Sequence, residues 1–226
     1  MGASARRWGG AVPVHVSSTA RLLAGLVAFA ACAAPPDATP PAPPAPTEGG
    51  AAADTAPPAM PDSTRPLFSF DADADPWTVQ NDGVMGGDSR GSVSIEGGAL
   101  VFTGDVVTEG GGFTSVLKDK TVDLSDAAGL ALRVRGGGRT FEVEVDDGTR
   151  DGRGRQVSRR APFETTDKWR TVRVPWGAFE SSVFGEPVDA APLDPAAVQA
   201  FGLYIIDGQD GPFRLEVDWI GAYGER

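Results

Sequence analysis

The side chains able to do chemistry in this chain are almost all oxygens. His15 is its one histidine and Cys32 its one cysteine. Both lie ahead of a proline-rich stretch, so the chain beyond that stretch can hold neither a nucleophile–histidine–carboxylate set nor a histidine-built metal site. Carboxylates are plentiful: 31 Asp and Glu stand against 20 Lys and Arg, a formal net charge of −11. Two carboxyl groups can run a glycosidase, but among so many acids such pairs arise by chance, and this reading ranks last. The acidic balance repels phosphate backbones, which argues against a nucleic-acid partner. The glycine runs do not sit between a buried strand and a helix, so no phosphate-cradling loop is supported. No cofactor is expected.

What remains is binding. Asn81-Asp82-Gly83-Val84-Met85-Gly86-Gly87-Asp88 is rich in residues that tolerate positive φ. Asn81 and Asp82 can bond backbone amides while Met85 plugs the end of the core, or all three can face a ligand. Gln209 and Asp210 sit in a turn between two strong strands, as connectors or as contacts for a partner or a sugar hydroxyl. Trp77, Trp169, Trp176 and Trp219 are recognition candidates. Trp77 and Trp176 lie at strand edges and are expected to be partly exposed, although burial competes at every one. Asp71, Asp73 and Asp75 alternate along an extended segment, as a solvated acidic strip or as oxygen ligands for Ca²⁺. Arg150, Arg153, Arg155, Arg159 and Arg160 form the basic run, a solvated hairpin or a patch for an acidic partner.

Elements of period two must position these residues. Leu67–Phe70, Ser92–Ile95, Ala99–Thr103, Phe113–Leu117, Leu130–Arg135, Thr140–Val145, Trp169–Val174 and Phe213–Ile220 read as strands, with a weaker one in Arg155–Glu164. Phe201–Ile206 is continuously apolar and is expected at the centre of a sheet. Pro175–Phe179 and Asp194–Gln199 can each form one helical turn, the second capped by Asp194. About nine short strands with almost no helix predict an all-β, two-sheet jelly-roll sandwich.

The N-terminal part reads differently. Arg6, Arg7 and Arg21 precede a short apolar run, Leu22–Ala31, too short for a transmembrane helix of about 20 residues. That is the pattern of a secretory signal. Phe29-Ala30-Ala31-Cys32 resembles a bacterial lipobox, which implies lipidation at Cys32 and, with Ala33 next to it, an outer-membrane destination. Residues 33–66 are dominated by Pro, Ala and Thr and are expected to be a disordered tether. The organisation read from the sequence is 1–32 leader, 33–66 linker and 67–226 domain.

Three segments carry a family resemblance: Trp77 to Ser89, Gly110-Gly111-Gly112-Phe113-Thr114-Ser115, and Asp207-Gly208-Gln209-Asp210-Gly211-Pro212-Phe213-Arg214. In this order, within one domain length, they resemble the CIA30 domain of the complex I intermediate-associated protein 30 family. The resemblance implies a galactose-binding-like sandwich and, from the mitochondrial members, a role in assembling respiratory complex I. An exported, lipid-anchored protein fits that role poorly. The expectation is therefore a non-catalytic module in the cell envelope that binds protein or glycan, with complex I assembly second. The contacts are expected among Trp77, Asn81, Asp82, Met85, Trp176, Gln209 and Asp210.

Overall fold

The structure, a computed structural model, describes residues 60–61, 63–70 and 76–224. The leader with Cys32, most of the expected linker, and Asp71, Asp73 and Asp75 lie outside the described residues.

Two antiparallel sheets form the sandwich. Their strands are β1 (Thr64–Ser69), β2 (Thr78–Asn81), β3 (Arg90–Glu96), β4 (Ala99–Val106), β5 (Thr114–Val122), β6 (Gly129–Arg135) and β7 (Thr140–Asp146). Next come β8 (Ser158–Glu164), β9 (Arg170–Pro175), β10 (Glu180–Val183), β11 (Glu186–Pro187), β12 (Val198–Ile205) and β13 (Gly211–Tyr223). The six-stranded sheet runs β3-β4-β13-β6-β9 with β1 added on β13, and the seven-stranded sheet runs β11-β10-β8-β7-β12-β5-β2. β13 pairs with β4 through its first half and with β1 through its second. The first strand starts at Thr64, ahead of the Leu67 read from the apolar pattern, because its Thr64–Pro66 backbone pairs with Gly221–Tyr223.

Period-two alternation builds the core. Phe141, Val143 and Val145 of β7 point inward, as do Phe201, Leu203 and Ile205 of β12, and all are buried with Leu132, Phe102 and Leu215 of the facing sheet. A fully buried side chain of this size contributes about 1.5–3 kcal/mol. Their sequence neighbours necessarily point the other way, onto the open face of the seven-stranded sheet.

The two helical turns are 3₁₀ turns at Trp176–Ala178 and Pro195–Ala197, and Asp194 caps the latter by accepting from Ala196 N at 3.0 Å. A further one, Asp82–Met85, stands where a loop was expected. Among the described residues no helix is long and apolar enough to cross a membrane.

Candidate functional site

The open face of the seven-stranded sheet carries a groove of about 730 Å³. Strand register sets its floor. One row across the sheet reads Arg160, Glu144, Gly202, Leu117; the next reads Glu142, Tyr204, Ser115, Gln80, of which Tyr204 and Gln80 line the groove and Glu142 and Ser115 flank it. Gly202 is required here: a Cβ would meet the Leu117 side chain at 2.8 Å and the Tyr204 ring at 3.0 Å. Glycine thus lets the tyrosine lie low over the strand. Phe113 stacks beside Tyr204, with ring centroids 6.3 Å apart and planes at 30°.

The floor is charged and partly buried. Arg160 Nη1 sits 3.1 Å from Glu142 Oε2, and its guanidinium lies 5.2 Å from the Tyr204 ring centroid. Burial pushes the Glu142 carboxyl up; Arg160 opposes this and Glu180 adds to it. Glu144 is 6% exposed. Burial raises its pKa too, against the smaller effects of the Tyr204 hydroxyl and Arg160. Its Oε2 accepts no hydrogen bond and is shielded from solvent. Burial, and then the neighbouring Glu144 charge, push the Tyr204 phenol upward.

The rim is apolar. Met85 is 65% exposed, Phe184 82% and Ile206 39%, and these are the exposed large hydrophobics among the described residues. All three line this groove. Phe184 stands at the tip of the β10–β11 hairpin, where Val183 pairs with Glu186 and the two-residue turn has φ of 53° at Phe184 and 81° at Gly185. This is the type I′ geometry that normally selects Asn-Gly or Gly-Gly. Holding phenylalanine there costs roughly 1–2 kcal/mol. Arg155 lies 5.7 Å from the Phe184 ring centroid and is anchored to Asp151, whose carboxyl is held down to about 2 by hydrogen bonds from Arg155 and from the Arg155 and Arg153 amides.

The residues singled out in the sequence are placed unevenly. Asp82 is fully buried. Its Oδ1 accepts from Ser89 N at 3.0 Å, and its Oδ2 accepts from Gly112 N at 2.7 Å and Phe113 N at 3.3 Å. Asn81 Oδ1 accepts from Gly91 N and from Thr114 Oγ1. Gly87 and Gly111 press on the Asp82 carboxylate, where a Cβ would come within 2.3 and 2.5 Å. Asp210 Oδ1 accepts from Thr108 N at 2.7 Å, and the Gln209 carbonyl accepts from Arg139, which is held by Asp207 through two hydrogen bonds. The three sequence segments therefore meet in one region of the sandwich. Of the contact candidates named from the sequence, Met85 reaches the groove, where Gln80, Gly111 and Phe113 of the same segments also line it.

The tryptophans lie away from it. Trp77, expected to be partly exposed, is instead 6% exposed in the core, packed on Phe68 and Phe70 at 5.2 and 6.2 Å. Val79, two residues on, packs against the same core. Trp176 is half-buried, donating from Nε1 to the Ala127 carbonyl. The Ca²⁺ reading of Asp71, Asp73 and Asp75 falls outside the described residues, and no cluster of metal-ligating side chains occurs within them.

Glu142, Glu144, Tyr204, Phe113 and Phe184 were not singled out from the sequence. The signal was present for two of them: Glu142 and Glu144 are the polar half of an alternating strand whose other half is core. Residues 67–217 match the sequence pattern of the family described as Complex I intermediate-associated protein 30 (CIA30). The chain belongs to the CIA30 family. Two relatives are both named Complex I intermediate-associated protein 30, mitochondrial. The Mus musculus protein is 33% identical over 109 residues, 45% of this chain, and the Drosophila melanogaster protein 26% identical over 187 residues, 71% of this chain. The matches span 32% and 63% of those relatives' own lengths. Among solved structures, a family 11 carbohydrate-binding module of a cellulosomal cellulase of Clostridium thermocellum superposes with a TM-score of 0.55 at 13% identity, covering 72% of this chain and 95% of the module. A structure of the Clostridium thermocellum family 11 module with a mixed-linked tetrasaccharide gives a TM-score of 0.53 at 13% identity, covering 71% and 95%. At that identity the likeness establishes the sandwich fold. The expected lipid-anchored location in a cell envelope is corrected by the relatives: both bear mitochondrial names, which point away from a bacterial envelope.

Proposed function

We propose that this CIA30 chain is a non-catalytic binding module whose working surface is the open face of the seven-stranded sheet. One observation carries it: the exposed large hydrophobics of the described residues all gather on one groove. A contiguous exposed apolar patch marks an interaction surface more often than it is incidental. The partner is a protein, and the fuller form of this reading is assistance in assembling complex I, supported by the relatives' names. A glycan partner is the second reading, favoured by the hydroxyl and carboxylate groups of the floor. Catalysis gains little support: Glu142 is tied to Arg160, and Asp146 accepts from Gly148 N and Gln156 Nε2.

The test is recovery of complex I subunits by the immobilised chain and by its Phe184→Ala and Met85→Ala forms. Loss of recovery at an unchanged melting temperature supports the groove. Equal recovery by wild type and both variants rejects it. Hydrolysis of a glycan by the purified chain would reject the non-catalytic reading.

A further inference from the structure

We infer that the groove takes an extended, lysine- or arginine-bearing segment of a partner protein, its cation meeting Glu144 and its aliphatic stem lying along the Phe184 and Met85 rim. The inference rests on the open face being the working surface and names what that surface reads.

Charge comes first. Asp119, Glu144 and Asp146 line the groove, and Arg160 is the one cation among its lining residues. Arg160 is already engaged by Glu142 at 3.1 Å. Arg150 also approaches Asp146, at 3.9 Å, yet the acids still outnumber the cations, so an anionic ligand would meet a net negative floor and a neutral one would leave that charge as it stands.

Glu144 is more than nine-tenths buried and lines the groove, and although Tyr204 and Ser158 act on its carboxyl, its Oε2 has no hydrogen-bond donor; a cation reaches that oxygen by a turn of the side chain toward the groove. A buried carboxylate oxygen without a donor is rare and asks for one. An ammonium brings three donors and a guanidinium five, with the opposite charge.

The rim fits the rest of such a side chain. Long basic side chains lay their methylenes on apolar surface while the head stays polar, and methionine adapts to varied stems. The aromatic rings here already accept cations: Arg160 sits over Tyr204 and Arg155 over Phe184. The strained Phe184 backbone places that ring outside the core at the groove's edge, where a cation or its stem can lie on it.

The experiment is calorimetric titration of the full chain with three blocked ten-residue peptides, alanine alternating with lysine, with glutamine or with glutamate. The lysine peptide should bind and the glutamate peptide should not. Glu144→Gln should weaken the lysine peptide by about tenfold, the scale of one charged hydrogen bond. It should not lower the melting temperature, because the amide removes a charge that burial disfavours. Equal binding of the lysine and glutamine peptides overturns the inference, as does indifference to Glu144→Gln. Binding of a neutral β-linked oligosaccharide without the lysine peptide also overturns it and makes the occupant a glycan. Phe184→Ala separates the two levels. If it abolishes oligosaccharide binding or complex I subunit recovery while the lysine peptide fails, the groove stands and only its occupant changes. If it alters nothing, the groove itself falls.

Discussion

A carboxylate with no solvent exposure must be answered by donors, and Asp82 is answered by backbone amides from two separate loops, at Ser89 and at Gly112–Phe113. Burial pushes its pKa up, but these hydrogen bonds together with the Ser89 side chain outweigh that and bring it below the ordinary value. Asp82 therefore ties the 82–89 turn to the 110–113 loop, and glycines are needed at 87 and 111 because the carboxylate occupies the space a Cβ would take. Asp82→Ala removes the acceptor and strands the amides, so denaturant unfolding should show a loss of about 2–4 kcal/mol. The folded fraction should keep its partner. Gln209→Ala is the contrast: its side chain reaches Asp207 at 3.4 Å from an exposed position, and the Arg139–Asp207 pair already holds the turn. Its stability should change by less than about 0.5 kcal/mol. The sequence shows that 81–88 is a demanding loop. It does not show that Asp82 points inward, because the donors that make burial tolerable come from Gly112 and Phe113, far along the chain.

The β10–β11 hairpin sets stability against exposure. A Phe-Gly turn with both residues at positive φ is strained at its first position, and the ring gains no burial in return, being 82% exposed. Phe184→Gly should relieve the backbone and stabilise the fold by roughly 1 kcal/mol, read as a higher denaturant midpoint with an unchanged slope. The same variant should weaken partner recovery; a stabilised protein with full recovery would make the strain accidental. This hairpin was also the least legible element. β2, β10 and β11 span four residues or fewer and are largely polar, so they present no run of alternation to read. The long strands β6, β7, β12 and β13 were legible because their apolar halves face one core. Tyr204 was hidden by that same logic. It sits in the continuously apolar run Phe201–Ile206, expected at the centre of a sheet, whereas Gly202 opens one face of that strand to the groove.

At the scale of the whole molecule, the sandwich was readable from strand count and helix poverty, while the groove was not, because it depends on which polar half-strands become neighbours. Register brings Glu142 and Glu144 beside Arg160 and Tyr204, and this grouping shapes the pH response of the fold. Two sets of carboxyls act in opposite directions. Asp82, Asp147 and Asp207 have folded pKa values below the ordinary 3.8, since burial is more than offset by amide and arginine partners. For these the unfolded chain binds more protons, so their stabilisation is complete above pH 3.8 and is lost as the pH falls through their lower folded values. Glu142 and Glu144 have folded values above the ordinary 4.5, burial being the leading cause for both. Here the folded chain holds the protons longer, so stability declines as the pH rises from 4.5 through the raised values and then levels off. The groups facing this pair are Arg160, Glu180, Asp146, Tyr204 and Ser158. Of these, the Tyr204 phenol, pushed upward by burial and by the Glu144 charge, stays neutral throughout the window. Thermal melts of wild type and of Glu144→Gln should therefore converge near pH 4 and diverge above 4.5, with the variant the more stable at pH 7. Melting curves that stay parallel across that range would show that Glu144 keeps an ordinary pKa, and that the groove floor is better hydrated than its geometry indicates.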